Sequence, residues 1–190
     1  MVKGISYYLR QAWKKPDVKT MRERMIGWRK SGTIVKVENP LRLDRAHALG
    51  YKAKKGIIVV RVRINRGGHK RPRPNKGRRS KRLTPRMTLS MNYKEIAEQR
   101  VARKYRNMEV INSYPIGQDG VFNFYEVILA DRSSSEIKAD KELSYVSRVG
   151  KGRSLRGLTS SGKKARGLRN SSVKAPKVRP SLRAHGRRGN

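Results

Sequence analysis

The stretch GLTSSGKK, from Gly157 to Lys164, has the spacing of a phosphate-binding loop. In such a loop, backbone N–H groups cradle phosphates, a lysine reaches the terminal phosphate and a final Ser or Thr holds magnesium. Here the final position is Lys164, and no buried apolar strand leads into the loop. No acidic residue follows Glu142, so a metal-binding carboxylate would have to come from upstream. Nucleotide hydrolysis is therefore a poor fit. A simpler part of the physics survives: Thr159 caps a helical turn whose N–H groups, with Lys163 and Lys164, receive a phosphate.

Other reactive constellations are missing. The three histidines are His47, His69 and His185, and none has a second His or a Cys at ligand spacing, so no metal site is expected. His69 and His185 sit among arginines and are expected to add phosphate contacts, while His47 lies in the turn RAHAL and is expected to pack or touch RNA. Glu95, Glu98, Glu109 and Glu126 form no recognisable acid–base pair; surface ion pairing is their default reading. Cysteine is absent, which removes disulfides and thiol chemistry and is compatible with a reducing compartment. No catalytic residue, cofactor or small-molecule substrate is expected.

Charge supplies the positive argument. The chain has 190 residues with 49 Lys+Arg against 13 Asp+Glu, a formal charge of +36. A compact body of that charge repels itself and needs a polyanion beside it. An anionic membrane would ask for a continuous apolar helix face, and the basic stretches are too rich in Gly, Pro and Ser to make one. No apolar run is long enough to span a bilayer, and the start of the chain has no sustained apolar segment of a secretory kind. Nucleic acid remains. Charge is also segregated: Arg45 to Lys94 contains no acidic residue, nor does anything after Glu142, whereas Glu95 to Glu142 is nearly balanced. Carboxylates repel phosphates, so their absence over such lengths marks surface that meets phosphate.

Elements that position these groups follow from periodicity. Apolar spacing predicts helices over 3–14 and 17–30, with Trp13 and Trp28 on their apolar stripes as core or docking residues. The clearest strand is 57–66: Ile58, Val60, Val62 and Ile64 share one face, and Arg61 and Arg63 project together from the other. Gly67 and Gly68 end it. Residues 69–82, HKRPRPNKGRRSKR, have no apolar member, and Pro72 and Pro74 block regular structure, so this loop is expected to order only on RNA. A helix follows over 92–106, with Asn92 and Glu95 as a capping pair, then strands at 108–116 and 121–131 around a turn at 117–120. The second of these strands is apolar on both faces, which suits an interior position or helices on both sides. After Glu142 only 13 of 48 residues are apolar, and they are scattered; this stretch is expected to stay mobile until phosphates order it. The expected division is a body at 1–142 carrying a basic RNA-binding loop at 66–86, and a basic extended tail at 143–190. The expected core is Ile58, Val60, Val62, Ile64, Val101, Val127 and Leu129.

The runs ALGYKAKKGIIVVRVRINRGGHKRPRP (48–74), VINSYPIG (110–117), FYEVILAD (124–131) and RGLTSSGKKARGL (156–168), in this order, resemble large-subunit ribosomal protein 15 of the archaeal and eukaryotic type. That family is distinct from the bacterial protein sharing its number. The similarity extends from the amino-terminal helix to about Leu168, and the lack of cysteine with a short carboxyl terminus points to the archaeal branch. The resemblance implies an α+β fold, a small antiparallel sheet with packed helices, plus long basic extensions threaded into rRNA. It also implies no catalysis, a place in the cytoplasmic ribosome, and large-subunit rRNA and neighbouring ribosomal proteins as partners. The alternative from charge alone is a non-specific nucleic-acid packaging protein.

Two RNA-facing surfaces are expected. One comprises Arg42, Arg45, Lys52, Lys54, Lys55, Arg61, Arg63, Arg66, His69, Lys70, Arg71 and Arg73, continued by Lys76, Arg78, Arg79, Lys81 and Arg82. Tyr51, inside this cluster, either stacks on a base or joins the core. The other comprises Arg148, Lys151, Arg153, Arg156, Thr159, Lys163, Lys164, Arg166 and Arg169.

Overall fold

The computed structural model describes residues 3–70, 72, 76–77, 86–172, 178–181 and 183–186. Its centre is a four-stranded antiparallel sheet formed by β1 (Ile34–Val37), β2 (Ile57–Asn65), β5 (Met108–Gln118) and β6 (Phe122–Asp131), in the order β1-β2-β6-β5. The predicted strands all form. β1 is additional: its four residues IVKV are too short for a periodic signal, and β2 holds it through register pairs from Ile34↔Val62 to Val37↔Val59. Two short strands, β3 (His69–Lys70) and β4 (Arg86–Met87), pair at the root of the basic loop.

Both faces of the sheet are covered. Helix α4 (Tyr93–Lys104) lays Ala97 and Val101 on Val60, Val62, Ile64, Val110, Val127 and Leu129. This is the expected core, with Ile58 at its margin. A second core on the opposite face was not anticipated. It joins Val59, Tyr114, Phe124 and Ile128 to Trp28 of α2 (Val18–Lys30), Ala46 of α3 (Leu43–Ala48), Ile137 of α5 (Ser135–Ala139) and Val146 of α6 (Tyr145–Arg148). The doubly apolar β6 is thus both interior and covered on two sides. Register shifts in β5 at Ile111 and Ile116 let the edge strand serve both cores: Tyr114 goes to the second, and Ser113 turns toward α4.

Helix α1 (Ile5–Ala12) has no buried residue, and Trp13 at its end is only half-buried, unlike core Trp28. Asp17 caps α2, accepting the Thr20 N–H at 2.8 Å; Asn92 caps α4, accepting the Glu95 N–H at 2.9 Å.

The chain beyond Glu142 has no sequence periodicity, yet its first part packs. Leu143, Val146, Ser154, Thr159, Ser161 and Gly162 are buried, and helix α7 (Ser160–Ala165) lies against α4 and β5. Isolated apolar residues suffice here because buried acceptors of the body hold the intervening backbone. The recurring Arg-Gly-Leu triplets are two copies of one helix-stop motif. Leu158 N–H donates to Arg153 C=O and Leu168 N–H to Lys163 C=O, with Gly157 and Gly167 at φ +65° and +75°. Gly162 lies against Gly157 so closely that a Cβ would stand 2.6 Å from its Cα. The spacing of GLTSSG therefore serves close backbone packing.

Candidate nucleic-acid interface

The acidic residues explain how so basic a chain packs. Glu95, Glu98, Glu109 and Glu126 are all buried, which corrects their reading as surface ion pairs. Each buried carboxylate can accept N–H or O–H groups that lack a strand partner, and in a fold of long irregular segments such donors are many. Glu98, 0 % exposed on α4, accepts the Ser113 hydroxyl at 2.5 Å and the Thr159 hydroxyl at 2.6 Å. Glu109 on β5 accepts Gly152 N–H at 2.6 Å and Arg153 N–H at 3.2 Å. Glu126 on β6 receives the Leu41 N–H, at 3.2 and 3.1 Å to its two oxygens. Burial pushes the pKa values of Glu95, Glu98 and Glu126 up; hydrogen bonds from Ser113 and Thr159 pull against this at Glu98, and the Leu41 N–H does so at Glu126.

Glu109→Ala removes a charged acceptor of two tail N–H groups, interactions worth about 1.5–3 kcal/mol each. Limited proteolysis should then cut residues 148–156 several-fold faster, with the sheet intact. Unchanged cleavage there would show that Glu109 does not hold the tail.

Thr159 caps α7 as expected, accepting the Gly162 N–H at 3.2 Å. It is only 1 % exposed, however, and faces Glu98. The Thr159 hydroxyl is thus turned inward, onto the Glu98 carboxyl. Tyr51, 8 % exposed, belongs to the second core beside the His47 ring, 5.7 Å away. Its ring is therefore packed, in line with the core alternative.

Several expected contact arginines are built into the body. Arg61 lies over Trp28 at 5.4 Å, Arg63 over Phe122 at 4.7 Å, Arg42 over Trp13 at 4.8 Å and Arg153 over Tyr145 at 5.0 Å. All four are half-buried. Arg63 also donates to the Arg29 carbonyl and Arg61 to the Ser31 hydroxyl. Lys52 and Lys54 both grip Asp140, whose pKa they push far down, Lys54 most strongly. Arg66, Arg148, Arg156 and Arg166 donate to Asp119 C=O, Ser144 Oγ, Gly150 C=O and Gly157 C=O.

Another set is exposed. Arg45, Lys55, His69, Lys70, Lys76, Lys151, Lys163, Lys164 and Arg169 stand on the surface, and among the described residues none pairs with a carboxylate. Arg71, Arg73, Arg78, Arg79, Lys81 and Arg82 lie outside the described residues. The root of their loop is fixed by Tyr93, whose hydroxyl receives Gly67 N–H at 2.8 Å and donates to Gly67 C=O at 3.2 Å.

The fold brings the two basic segments together around a residue the sequence did not single out. Asn92 and Ser161 are tied by bonds of 2.6 and 3.0 Å, which set Lys94 in the first turn of α4 beside α7. Burial lowers the Lys94 pKa; Glu98 beneath it opposes this, while Arg45, Arg169 and Lys164 repel the ammonium and lower it further. One position thus feels cations from residue 45 and from residues 164–169. Lys94 closes the first carboxylate-free stretch, which was the available signal, but an isolated lysine at a helix start gives no hint of its neighbours.

A small two-cored sheet domain that buries Glu95, Glu98, Glu109 and Glu126 and carries unpaired cations on its surface is a basic scaffold. Comparison with known proteins narrows the class: the chain belongs to the Ribosomal L15 family of the L15e type, whose model matches residues 4–185. Relatives named large ribosomal subunit protein eL15 align with it over nearly their whole length. The protein of Picrophilus torridus is 49% identical over 185 residues, covering 94% of this chain and 95% of the relative. That of Methanospirillum hungatei is 50% identical over 194 residues, covering 99% of each, and that of Methanocorpusculum labreanum 50% over 194, covering 100% of each. The relatives are archaeal, and the family is a structural, non-enzymatic component of the ribosome in the cytoplasm.

Proposed function

We propose that this chain binds and stabilises folded large-subunit rRNA through phosphate contacts, as a structural constituent of the large ribosomal subunit beside neighbouring ribosomal proteins. The observation that carries this reading is the set of exposed cations Arg45, Lys55, Lys70, Lys151, Lys163, Lys164 and Arg169, none of which pairs with a carboxylate among the described residues. Unpaired surface cations in such number repel one another in the free protein, and phosphates at that surface relieve the repulsion. The exposed lysines act as point charges, and Arg45 and Arg169 can bridge two phosphates. The loop at 66–86 and the basic chain of 143–190 extend this surface along RNA, the latter beginning from segments anchored by Glu109 and Glu98. Recognition reads shape, because A-form RNA hides its major-groove base edges.

A packaging protein needs no defined site. In a filter-binding assay, duplex DNA at a phosphate concentration equal to that of the rRNA should displace little of the chain from large-subunit rRNA. Ready displacement would favour the packaging reading.

A further inference from the structure

A cavity of about 330 Å³ opens where α1 meets α2, within the range of about 300–1,000 Å³ that small-ligand sites span. Its apolar lining includes Trp13, Met21 and Leu41, and its polar edge carries Asp17 and Arg24. We propose that this cavity takes one unpaired RNA base, stacked on Trp13, with the adjoining phosphate on Arg24. The inference rests on the rRNA-binding reading above and adds to it a site for single-stranded RNA.

The floor is fixed before any ligand arrives. Glu126 holds Leu41 by its N–H, and Met21 packs on the second core. Arg42 covers one face of the Trp13 ring at 4.8 Å, and its guanidinium is steadied by Asp44 at 3.4 Å. A cation beneath an indole leaves the other face for a flat π-system, which is how single-stranded nucleic acids are commonly held. Trp13 is half-buried and belongs to neither core. Asp17, while capping α2, presents an acceptor to which an exocyclic amino group can donate.

Charge around the cavity favours the occupant. In the lining Arg24 is balanced by Asp17, but residues 3–30 as a whole hold nine Lys or Arg against two acidic residues, which favours a ligand carrying negative charge beside its flat apolar part. A nucleotide does; an apolar protein side chain does not.

The test uses the full chain and three probes: a short mixed-sequence single-stranded RNA, a blunt RNA duplex of the same length, and a large-subunit rRNA fragment. The single strand should quench Trp13 fluorescence over the constant signal of core Trp28, and the blunt duplex should not. Trp13→Ala should bind the single strand about tenfold more weakly, as expected for loss of one stacked base, and Trp13→Tyr should recover most of that. Unchanged fluorescence and equal affinity of Trp13→Ala, with rRNA still bound, would overturn the pocket and leave the rRNA reading standing. Failure of the unaltered chain to bind the rRNA fragment would sink the rRNA reading itself. Loss of Trp13→Ala from assembled subunits without any effect on single strands would assign the cavity to a protein side chain and likewise overturn the proposal.

Discussion

Raising monovalent salt from about 50 to about 200 mM should weaken binding of the full chain to large-subunit rRNA by about 10⁴- to 10⁵-fold. Each neutralised phosphate releases condensed counter-ions, so the logarithm of the binding constant falls linearly with that of the salt concentration. The count of contacts comes from the surface and not from composition. Arg42, Arg61, Arg63 and Arg153 are folded against aromatic rings, and Lys52 and Lys54 are held by Asp140. What remains is the exposed set of nine from Arg45 to Arg169, with Lys94 added. Roughly ten contacts give a log–log slope near −7 to −9. A titration slope near −2 would mean that phosphate contact is not the main source of affinity.

Replacing Lys94, Lys164 and Arg169 together by Ala should cost about 10²-fold in rRNA affinity near 0.1 M salt and make the slope shallower by about two to three units. Lys141→Ala, on an exposed lysine inside the balanced segment, is the matched control and should change little. Folding stability separates this loss from damage to the body. The Lys94 pKa is lowered in the folded chain, first by burial and then by its cationic neighbours. The folded state therefore binds fewer protons there than the unfolded state, and stability rises with pH from that lowered value up through the ordinary lysine range. At neutral pH the charge on Lys94 opposes folding, so the triple variant should melt no lower than the parent. Lost affinity with an unchanged or raised melting temperature supports an RNA-facing role. A lowered melting temperature with unaltered slope would make the cluster structural.

How much of this could be read from the chain depended on which physics each part uses. Strand β2 and helix α4 announce themselves, because alternation and 3.6-residue spacing are properties of single segments. Strand β1 does not, since four residues acquire strand character only by pairing with β2. The second core escaped for a related reason: its members come from α2, α3, α5, α6 and three strands, and only the topology brings them together. Glutamates presented a different difficulty. A balanced charge count looks the same whether carboxylates pair at the surface or accept loop N–H groups inside, and Glu98, Glu109 and Glu126 do the second. The cationic surface was legible as composition, but its division was not. Nothing in the sequence tells Arg61, folded over Trp28, from Arg45, which is exposed. The GLTSSGKK stretch was correctly placed as a capped helical turn; that its cap faces Glu98 needed the neighbouring helix.

Gradient sedimentation of the tagged full chain with ribosomal particles, washed at high salt, tests the account most directly. RNA folded around an anchored, threaded chain should retain it where loosely bound basic proteins are stripped. The account predicts stoichiometric migration with the large subunit. Recovery at the top of the gradient, or equally with both subunits, would contradict it.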